Sequence, residues 1–424
     1  EGPELFRIFW AMKNASFTRL QVRTTISLIG IFIQAFSMQL TAQMKDYTPG
    51  VARTGLYYEA VQGKSLAVVG NATSLLPNGT HTVDHLISLG ADIREVWAPE
   101  HGFRGNKDAG EHVDDGRDPK TGIRIRSLYG KNKRPNTEWL KGLDLVVYDI
   151  QDVGVRFYTY STTLSYVLDA CVEAGVALMI FDRGNPNGHY VDGPILAPGF
   201  ESMVGLHPIP VVHGLTMGEY AQMVYGERWM PMTMNSAMRS QFEKSGGLQI
   251  IPCEGYSHDQ VFSSFQIPPS PNLRSIESIW NYPSLCFFEG TPISCGRGTN
   301  GPFTQFGAPF YKPDSMYAPV FTPKPDQGAK YPKHNGQLCY GFQITKRSPV
   351  DEIDWSYVFD AYTSWKKLPQ SKPHFFNSFF EKLAGSERLR KALTQGLTTD
   401  EWKKQYLDTD FNSYLEISRQ YKLY

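Results

Sequence analysis

Short apolar segments rich in β-branched residues alternate with helix-like segments from residue 65 onward, and this alternation constrains the fold more than any other feature of the chain. Strands separated by helical segments are typical of βαβ units, in which the strands run parallel. The sequence therefore predicts an α/β domain with a mostly parallel sheet. The strand-like segments are 65–69, 93–98, 143–148 and 177–181, and the helix-like segments are 82–89 and 160–174.

The first turn after a strand argues against a nucleotide cofactor. The segment 70–74 reads Gly-Asn-Ala-Thr-Ser and has one glycine. A dinucleotide-binding turn needs the three glycines of G-x-G-x-x-G, because they let the backbone approach the pyrophosphate. The order of elements thus resembles a dinucleotide-binding domain that lacks the phosphate loop, and we expect no cofactor.

A proline-rich stretch at 267–272 can continue neither a helix nor a central strand. We place a domain boundary there, between a catalytic domain at 43–270 and a smaller α+β domain at 271–424. The smaller domain has a strand-like segment at 340–345 and helix-like segments at 355–365, 375–383, 387–396 and 408–424.

Residues 1–42 have the pattern of an N-terminal extension followed by a secretory signal peptide. Lys13, Arg19 and Arg23 precede the apolar run 26–36, and small or polar residues follow it. The run contains Gln34 and is shorter than the roughly 20 apolar residues of a membrane span. We expect an exported protein, periplasmic or secreted, without stable membrane insertion once the signal is removed.

The chain has 42 basic and 42 acidic residues, so its formal net charge is zero. Nucleic-acid binding proteins concentrate positive charge, and this balance argues against a nucleic-acid partner. A neutral substrate or a small anion is the better prediction.

The loop after the strand at 93–98 contains an acid, an imidazole and a guanidinium: Glu100, His101 and Arg104. Ligands of open α/β sheets bind at the carboxyl ends of the strands, so a carboxylate leaving a strand there is well placed for chemistry. The alternative is a turn cluster in which Glu100 bonds only backbone amides.

Two further strand ends have polar clusters. Carboxylates, amides and guanidinium groups beside tyrosine rings are the combination that binds sugars, through hydroxyl hydrogen bonds and apolar ring faces. The alternatives are aromatic core packing for the first cluster and helix caps for the second. The first cluster comprises Asp149, Gln151, Asp152, Arg156 and Tyr158, and the second comprises Asp182, Arg183 and Asn185.

The glycine-rich region after residue 289 contains a fourth cluster, with Glu289, Arg297, Thr299 and Gln305. Glycines on both sides of Arg297 leave its guanidinium and the nearby amides open to an anion. The alternative is an ordinary surface loop with a solvated arginine.

Metal and serine chemistry have weaker signals. Glu111, His112, Asp114 and Asp115 follow the Glu100 loop, but their spacing matches no helical pair of histidine ligands. No G-x-S-x-G nucleophile motif occurs in the chain. We therefore predict no metal and no serine nucleophile.

Five long segments occur together in the chain: PEHGFRG from Pro99, YDIQDVGVRFYTY from Tyr148, FDRGNPNG from Phe181, EGTPISCGRGTNGPFTQFGAP from Glu289, and the terminal YKLY. In these segments the chain resembles the NamZ-type exo-β-N-acetylmuramidase family, glycoside hydrolase family 171. The resemblance implies a Rossmann-like domain joined to a smaller C-terminal domain, with the active site in the cleft between them. It also implies release of terminal N-acetylmuramic acid from peptide-free peptidoglycan chains, so that MurNAc-GlcNAc glycan fragments are the expected partners.

Glycoside hydrolysis uses one carboxyl group to protonate the leaving oxygen and a second as base or nucleophile. We expect Glu100 to be the acid, with His101 beside it. The second role is open between Asp149, Asp152 and the acetamido group of the substrate itself. The lactyl carboxylate of muramic acid needs a cation, which Arg156 or Arg297 could supply.

Two other classes of protein fit these residues. A non-catalytic cell-wall saccharide-binding protein would use the arginines and the aromatic rings without needing an acid. A metal-dependent esterase or amidase on the same fold would lose activity to a chelator.

Overall fold

Six parallel strands and one short antiparallel edge strand form the central sheet of the N-terminal half. The computed structural model describes residues 47–104, 116–230, 235–312, 317–345, 348–369 and 373–424. The strand order in this sheet is β3-β4-β2-β1-β5-β6-β7, with β3 antiparallel to β4. The strands are β1 (Ser65–Gly70), β2 (Asp92–Ala98), β3 (Gly116–Arg117), β4 (Arg124–Ser127), β5 (Leu145–Asp149), β6 (Ala177–Phe181) and β7 (Leu248–Ile251).

The strand order reverses between β1 and β5, as in doubly wound nucleotide-binding sheets. Because these six strands run parallel, their carboxyl ends all meet at one edge of the sheet. The helices of this half are α1 (Tyr58–Val61), α2 (Thr82–Ser88), α3 (Thr137–Leu140), α4 (Tyr160–Ala174), α5 (Met217–Gly226) and α6 (Ser236–Lys244).

Apolar side chains cover both faces of the sheet. Along β1, Ala67 and Val69 belong to one buried cluster and Leu66 and Val68 to another, because successive residues of a strand point to opposite faces. The first cluster continues into the C-terminal half, where it includes Trp355. One apolar core therefore joins the residues before and after 270, and the boundary at that position stays a prediction.

The C-terminal half combines a three-stranded antiparallel sheet of order β8-β10-β9 with further helices. The strands are β8 (Gln305–Ala308), β9 (Ala318–Phe321) and β10 (Cys339–Gln343). The helices are α7 (Ile276–Leu285), α8 (Ser356–Lys366), α9 (Phe380–Ala384), α10 (Arg388–Gln395), α11 (Thr399–Tyr406) and α12 (Thr409–Arg419).

The terminal segment of the chain packs back onto the N-terminal half. The hydroxyl of Tyr424 donates to Asp182 at 2.9 Å, and the backbone amide of Leu423 donates to Glu219 at 2.7 Å. Glu219 also closes the capping box that begins α5, with Thr216 as its partner. The terminal segment thus stabilises the start of a helix that lies about 200 residues earlier in the sequence.

The α/β prediction is confirmed: the main sheet is mostly parallel, and a smaller sheet with helices follows it. Residues 1–42, the predicted extension and export signal, lie outside the described residues. In the part of the chain that the structure describes, no helix is both long and apolar enough to cross a membrane.

Candidate active site

Glu100 lies at the carboxyl edge of the main sheet, just after β2. The hydroxyl of Thr159, the residue before α4, donates to its carboxylate at 2.8 Å. Tyr129, which follows β4, faces it as well, since burial and the nearby Glu100 charge both raise the pKa of that phenol. Three strand ends therefore converge on the carboxyl group that the sequence predicted to be the acid.

The Glu100 loop turns sharply after this residue. His101 is buried and adopts a left-handed backbone conformation with φ of 72°, and Gly102 follows with φ of 76°. Few residues other than glycine adopt this conformation, because the Cβ atom then crowds the backbone. His101 lines the inner of the two cavities beside Glu100, whereas Arg104 lines neither. Arg104 instead forms a double hydrogen bond to Asp118, at 2.8 and 2.9 Å.

Two adjoining cavities share Glu100. The inner one has a volume of about 220 Å³ and the outer one about 670 Å³. The two halves of the protein line both cavities, and among the carboxylates of the described residues only Glu100 and Glu289 face them. The inner cavity has aromatic walls, which include Phe157, Tyr158, Tyr282 and Phe303.

Glu289 is an ionised carboxylate held by a cation. The Nε of Arg297 donates to its Oε1 at 2.9 Å, and the Cys295 thiol donates to the same oxygen at 2.7 Å. Burial raises the pKa of Glu289, but the charges of Arg297 and Lys333 outweigh burial and hold the pKa at about 2. The Oε2 atom has no hydrogen-bond partner among the described residues, so it is available to a ligand.

Glu289 and the ring of Phe303 orient the guanidinium of Arg297. Its guanidinium lies 5.3 Å from the centre of the Phe303 ring, and a quarter of its side chain is exposed. Two other predicted residues stabilise its loop, because Gln305 donates to Thr299 at 2.7 Å and Thr299 donates to the Gly296 carbonyl at 2.6 Å. The glycine-rich cluster therefore presents one cation to the cavities.

The other predicted catalytic carboxylates lie elsewhere. Asp149 has no exposed surface, and both of its oxygens accept hydrogen bonds from Arg183, at 2.6 and 3.0 Å. The hydroxyl of Thr82 is a further donor to it. Neither Asp149 nor Arg183 lines a cavity with Glu100, and their geometry is that of a structural ion pair.

Asp152 is buried without a cation. One carboxylate oxygen accepts the Gly154 amide at 2.7 Å, and the other has no partner. Burial raises the pKa of Asp152 to about 7, although backbone hydrogen bonds oppose it. This carboxyl also lies outside the two cavities.

Arg156 does not face the cavities either. It donates to the carbonyls of Pro194 and Ile209 at 3.2 Å and to that of Leu383 at 2.8 Å. Burial lowers the pKa of its guanidinium to about 9. Its geometry therefore gives no support to the predicted role in anion binding, which leaves Arg297.

The remaining predicted residues hold loops together. Tyr158 lines the inner cavity while its hydroxyl donates to the Pro269 carbonyl at 2.6 Å. Gln151 donates to the Gly184 carbonyl at 2.9 Å, and Asn185 donates to the Leu215 carbonyl at 2.9 Å. Burial raises the pKa of Asp182 to about 6, against the opposing effect of its hydrogen bonds.

Sequence reasoning missed many residues of the cavities, among them Tyr129, Thr159, Lys333 and Phe379. Thr159 lies inside the segment that starts at Tyr148. The sequence therefore shows its motif but does not show that its partner is Glu100. The other three lie outside the five segments, and no local pattern marks them. The alternative metal ligands at 111, 112, 114 and 115 lie outside the described residues.

Two carboxyl groups, Glu100 and Glu289, line a cleft between the two halves of the protein, and such a pair is what glycoside hydrolases use. A family model for the N-terminal domain of exo-beta-N-acetylmuramidase NamZ matches residues 66–277, and one for its C-terminal domain matches 280–424. The chain therefore belongs to the NamZ family, and the family resemblance and glycoside hydrolase class predicted from the sequence are confirmed.

Comparisons with individual proteins support the family assignment and the fold. The chain is 33% identical over 395 residues to the peptidoglycan beta-N-acetylmuramidase NamZ of Bacillus subtilis, covering 87% of this chain and 89% of that protein. A crystal structure of a DUF1343 family protein from Bacteroides fragilis is 38% identical, with a TM-score of 0.77 and coverage of 89% of this chain and 99% of that one. A second DUF1343 protein from the same organism, 23% identical with the same coverage, shares the fold with a TM-score of 0.73.

The Asp149→Asn substitution should destabilise the protein. It leaves the buried Arg183 cation without its counter-charge, which costs about 3–5 kcal/mol. Urea unfolding followed by circular dichroism measures this loss. Glu243→Gln is the control, since it breaks a surface pair with Arg239 at 2.9 Å and should cost less than about 1 kcal/mol. An Asp149→Asn variant that is inactive but as stable as the wild type would instead favour the catalytic role.

Asp152 should make stability depend on pH. Its pKa rises from about 4 in an unfolded chain to about 7 on folding, so its contribution favours folding below pH 4 and is lost as the pH rises through 7. Asp152→Asn should remove up to about 1.4 kcal/mol per pH unit of this decline.

Urea unfolding of the wild type and Asp152→Asn at several pH values between 4 and 8 measures this slope. The exposed Asp92, changed to Asn, is the control and should follow the wild type. Parallel curves for all three proteins would show that Asp152 is not protonated on folding.

Proposed function

We propose that this protein is an exo-acting β-N-acetylmuramidase that releases terminal N-acetylmuramic acid from peptidoglycan-derived glycan chains. The observation that carries the proposal is the pair of cavities whose carboxylates are Glu100 and the ionised Glu289. Glycoside hydrolysis uses two carboxyl groups beside the bond that breaks, one as acid and the other as base or nucleophile. Membership of the NamZ family supports the same reaction.

Glu100 is the proposed general acid. It lines both cavities, so a glycosidic oxygen between two bound sugars would lie beside it. The Thr159 hydroxyl holds one carboxylate oxygen at 2.8 Å, which orients the group toward a leaving oxygen. His101 follows it in a constrained turn and lines the inner cavity.

Glu289 is the proposed second carboxylate, in place of Asp149 and Asp152. Arg297 and Lys333 hold it ionised, and an anion at this position stabilises the positive charge that develops on the sugar ring. It can serve as base or nucleophile toward the anomeric carbon, or orient the acetamido group of the substrate for attack.

Arg297 is the proposed ligand of the lactyl carboxylate. Its Nε is engaged by Glu289, while its terminal nitrogens have no hydrogen-bond partner among the described residues. Planar guanidinium groups pair well with carboxylates. Export of the mature chain remains a proposal that rests on the signal-like pattern of residues 1–42, and it would bring the enzyme to its substrate.

The Glu100→Gln variant should lose hydrolysis while keeping its fold and its affinity for the sugar. Glutamine preserves the shape and the hydrogen bond from Thr159 but cannot donate the proton. Release of nitrophenol from a β-linked nitrophenyl N-acetylmuramic acid glycoside would measure activity, and we expect a loss of at least about 100-fold. Nitrophenol is a good leaving group, so the loss on a MurNAc-GlcNAc disaccharide should be larger still.

Full activity of Glu100→Gln on both substrates would remove Glu100 from the acid role. A well-folded wild type that cleaves neither substrate would overturn the proposed function as a whole and would favour a saccharide-binding protein.

The Arg297→Gln variant should lose its preference for muramic acid. Hydrogen bonds to a charged group contribute about 1.5–3 kcal/mol, so the ratio of kcat/KM for the MurNAc glycoside to that for the GlcNAc glycoside should fall roughly 10- to 100-fold. Using the ratio cancels any shared loss that comes from the altered Glu289. Arg297→Lys should keep part of the preference, and an unchanged ratio would exclude the proposed contact.

A further inference from the structure

Tyr331 is the most exposed large apolar side chain among the described residues, with 95% of its surface open to solvent. It lies at the rim of the outer cavity, next to Pro332 and Lys333. A single exposed apolar side chain is ordinary on a protein surface, but aromatic rings that line a ligand cleft supply apolar contact area. The Tyr331 ring is therefore a candidate contact for a ligand in the outer cavity.

The backbone around Tyr331 is firmly anchored, so its exposure does not come from a loose loop. The neighbouring Pro332 is buried. The ammonium of Lys333 donates to four backbone carbonyls, those of Phe288, Glu289, Thr291 and Ile293, at 2.7 to 3.2 Å. These contacts tie the Tyr331 loop to the segment that positions Glu289, so the backbone that carries the ring is fixed at the cavity mouth.

A second aromatic ring lines the same cavity. Phe379, 37% exposed, borders both the outer and the inner cavity. Pyranose rings have apolar C–H faces that stack on aromatic rings, and this contact does not require a charge on the sugar. The outer cavity thus has the surfaces that a sugar ring needs.

The position of Glu100 indicates which sugar binds there. The acid must lie beside the bond that breaks, and Glu100 lines both cavities. In an exo-acting enzyme the rest of the glycan must extend toward solvent, so the terminal sugar would occupy the inner cavity of about 220 Å³ and the next sugar the outer one of about 670 Å³.

We propose that Tyr331, together with Phe379 of the same cavity, forms the binding platform for the N-acetylglucosamine unit that follows the terminal muramic acid. This inference rests on the proposed function, since it requires that the bond between these two sugars is the one cleaved. Tyr331 acts here as a specificity residue for the leaving group and takes no part in the proton transfer.

The test compares the wild type with Tyr331→Ala on a MurNAc-GlcNAc disaccharide. Loss of one stacking contact, about 0.5–1.5 kcal/mol, should raise KM roughly two- to tenfold. Inhibition by free N-acetylmuramic acid, which needs only the inner cavity, should stay unchanged. Tyr331→Phe keeps the ring and should restore the wild-type KM.

Tyr58→Ala is the matched control, because Tyr58 is an exposed aromatic residue on α1 that lines neither cavity. An unchanged KM in Tyr331→Ala would overturn the platform, and so would an equal weakening of inhibition by N-acetylmuramic acid. These outcomes leave the proposed function intact. A wild type that does not cleave the disaccharide would overturn the proposed function, and the platform with it.

Discussion

The buried ion pair between Asp149 and Arg183 is the interaction on which the functional edge of the sheet depends. It joins the ends of two adjacent strands, β5 and β6, where neither side chain is more than 9% exposed. Arg183 also donates to the Leu75 carbonyl at 2.9 Å, and Thr82 at the start of α2 donates to Asp149. Three βα connections therefore meet at one pair of charges, and removing either charge would leave the other without compensation in the interior.

Other buried charges in the same region are accommodated in different ways. Asp152 has no cation, so burial raises its pKa to about 7 and favours its neutral form. Arg156 has only carbonyl partners, and burial lowers its pKa to about 9. Glu289 alone combines two nearby cations with an oxygen that faces a cavity, so its charge remains available for chemistry. Burial by itself therefore does not identify the reactive carboxylate.

Local pattern predicts much of this fold because its strands and helices are regular and deeply buried. The predicted helix at 160–174 and strand at 177–181 coincide with α4 and β6. The predicted helix at 375–383 is wrong in its first part, and α9 begins at Phe380. The side chain of Asn377 accepts the Phe379 amide at 2.8 Å and forms a turn there instead. Strand β8 lies in a glycine-rich segment where only its long-range partner, β10, reveals it.

The candidate site, like the fold, is only partly predictable from the sequence. Sequence position alone is enough to expect a reactive carboxylate after β2, since strand ends meet at one edge. It does not indicate that Asp149 and Arg183 neutralise each other, or that Tyr129 and Thr159 face Glu100, because such partners are far apart in the chain. A polar cluster can be recognised from its residue types, but its role depends on which charges lie opposite it.

The two carboxylates of the candidate site come from different halves of the protein. Glu100 belongs to the edge of the main sheet, and Glu289 belongs to the segment after α7, so their separation depends on how the halves pack. Arg156 connects the loop after β5 to the Leu383 carbonyl at the end of α9, and the shared apolar core spans the same boundary. A buried guanidinium bonded to carbonyls from both halves keeps this packing specific. The arginine that the sequence assigned to substrate binding thus contributes to the site from a distance, by holding together the two halves that supply its carboxylates.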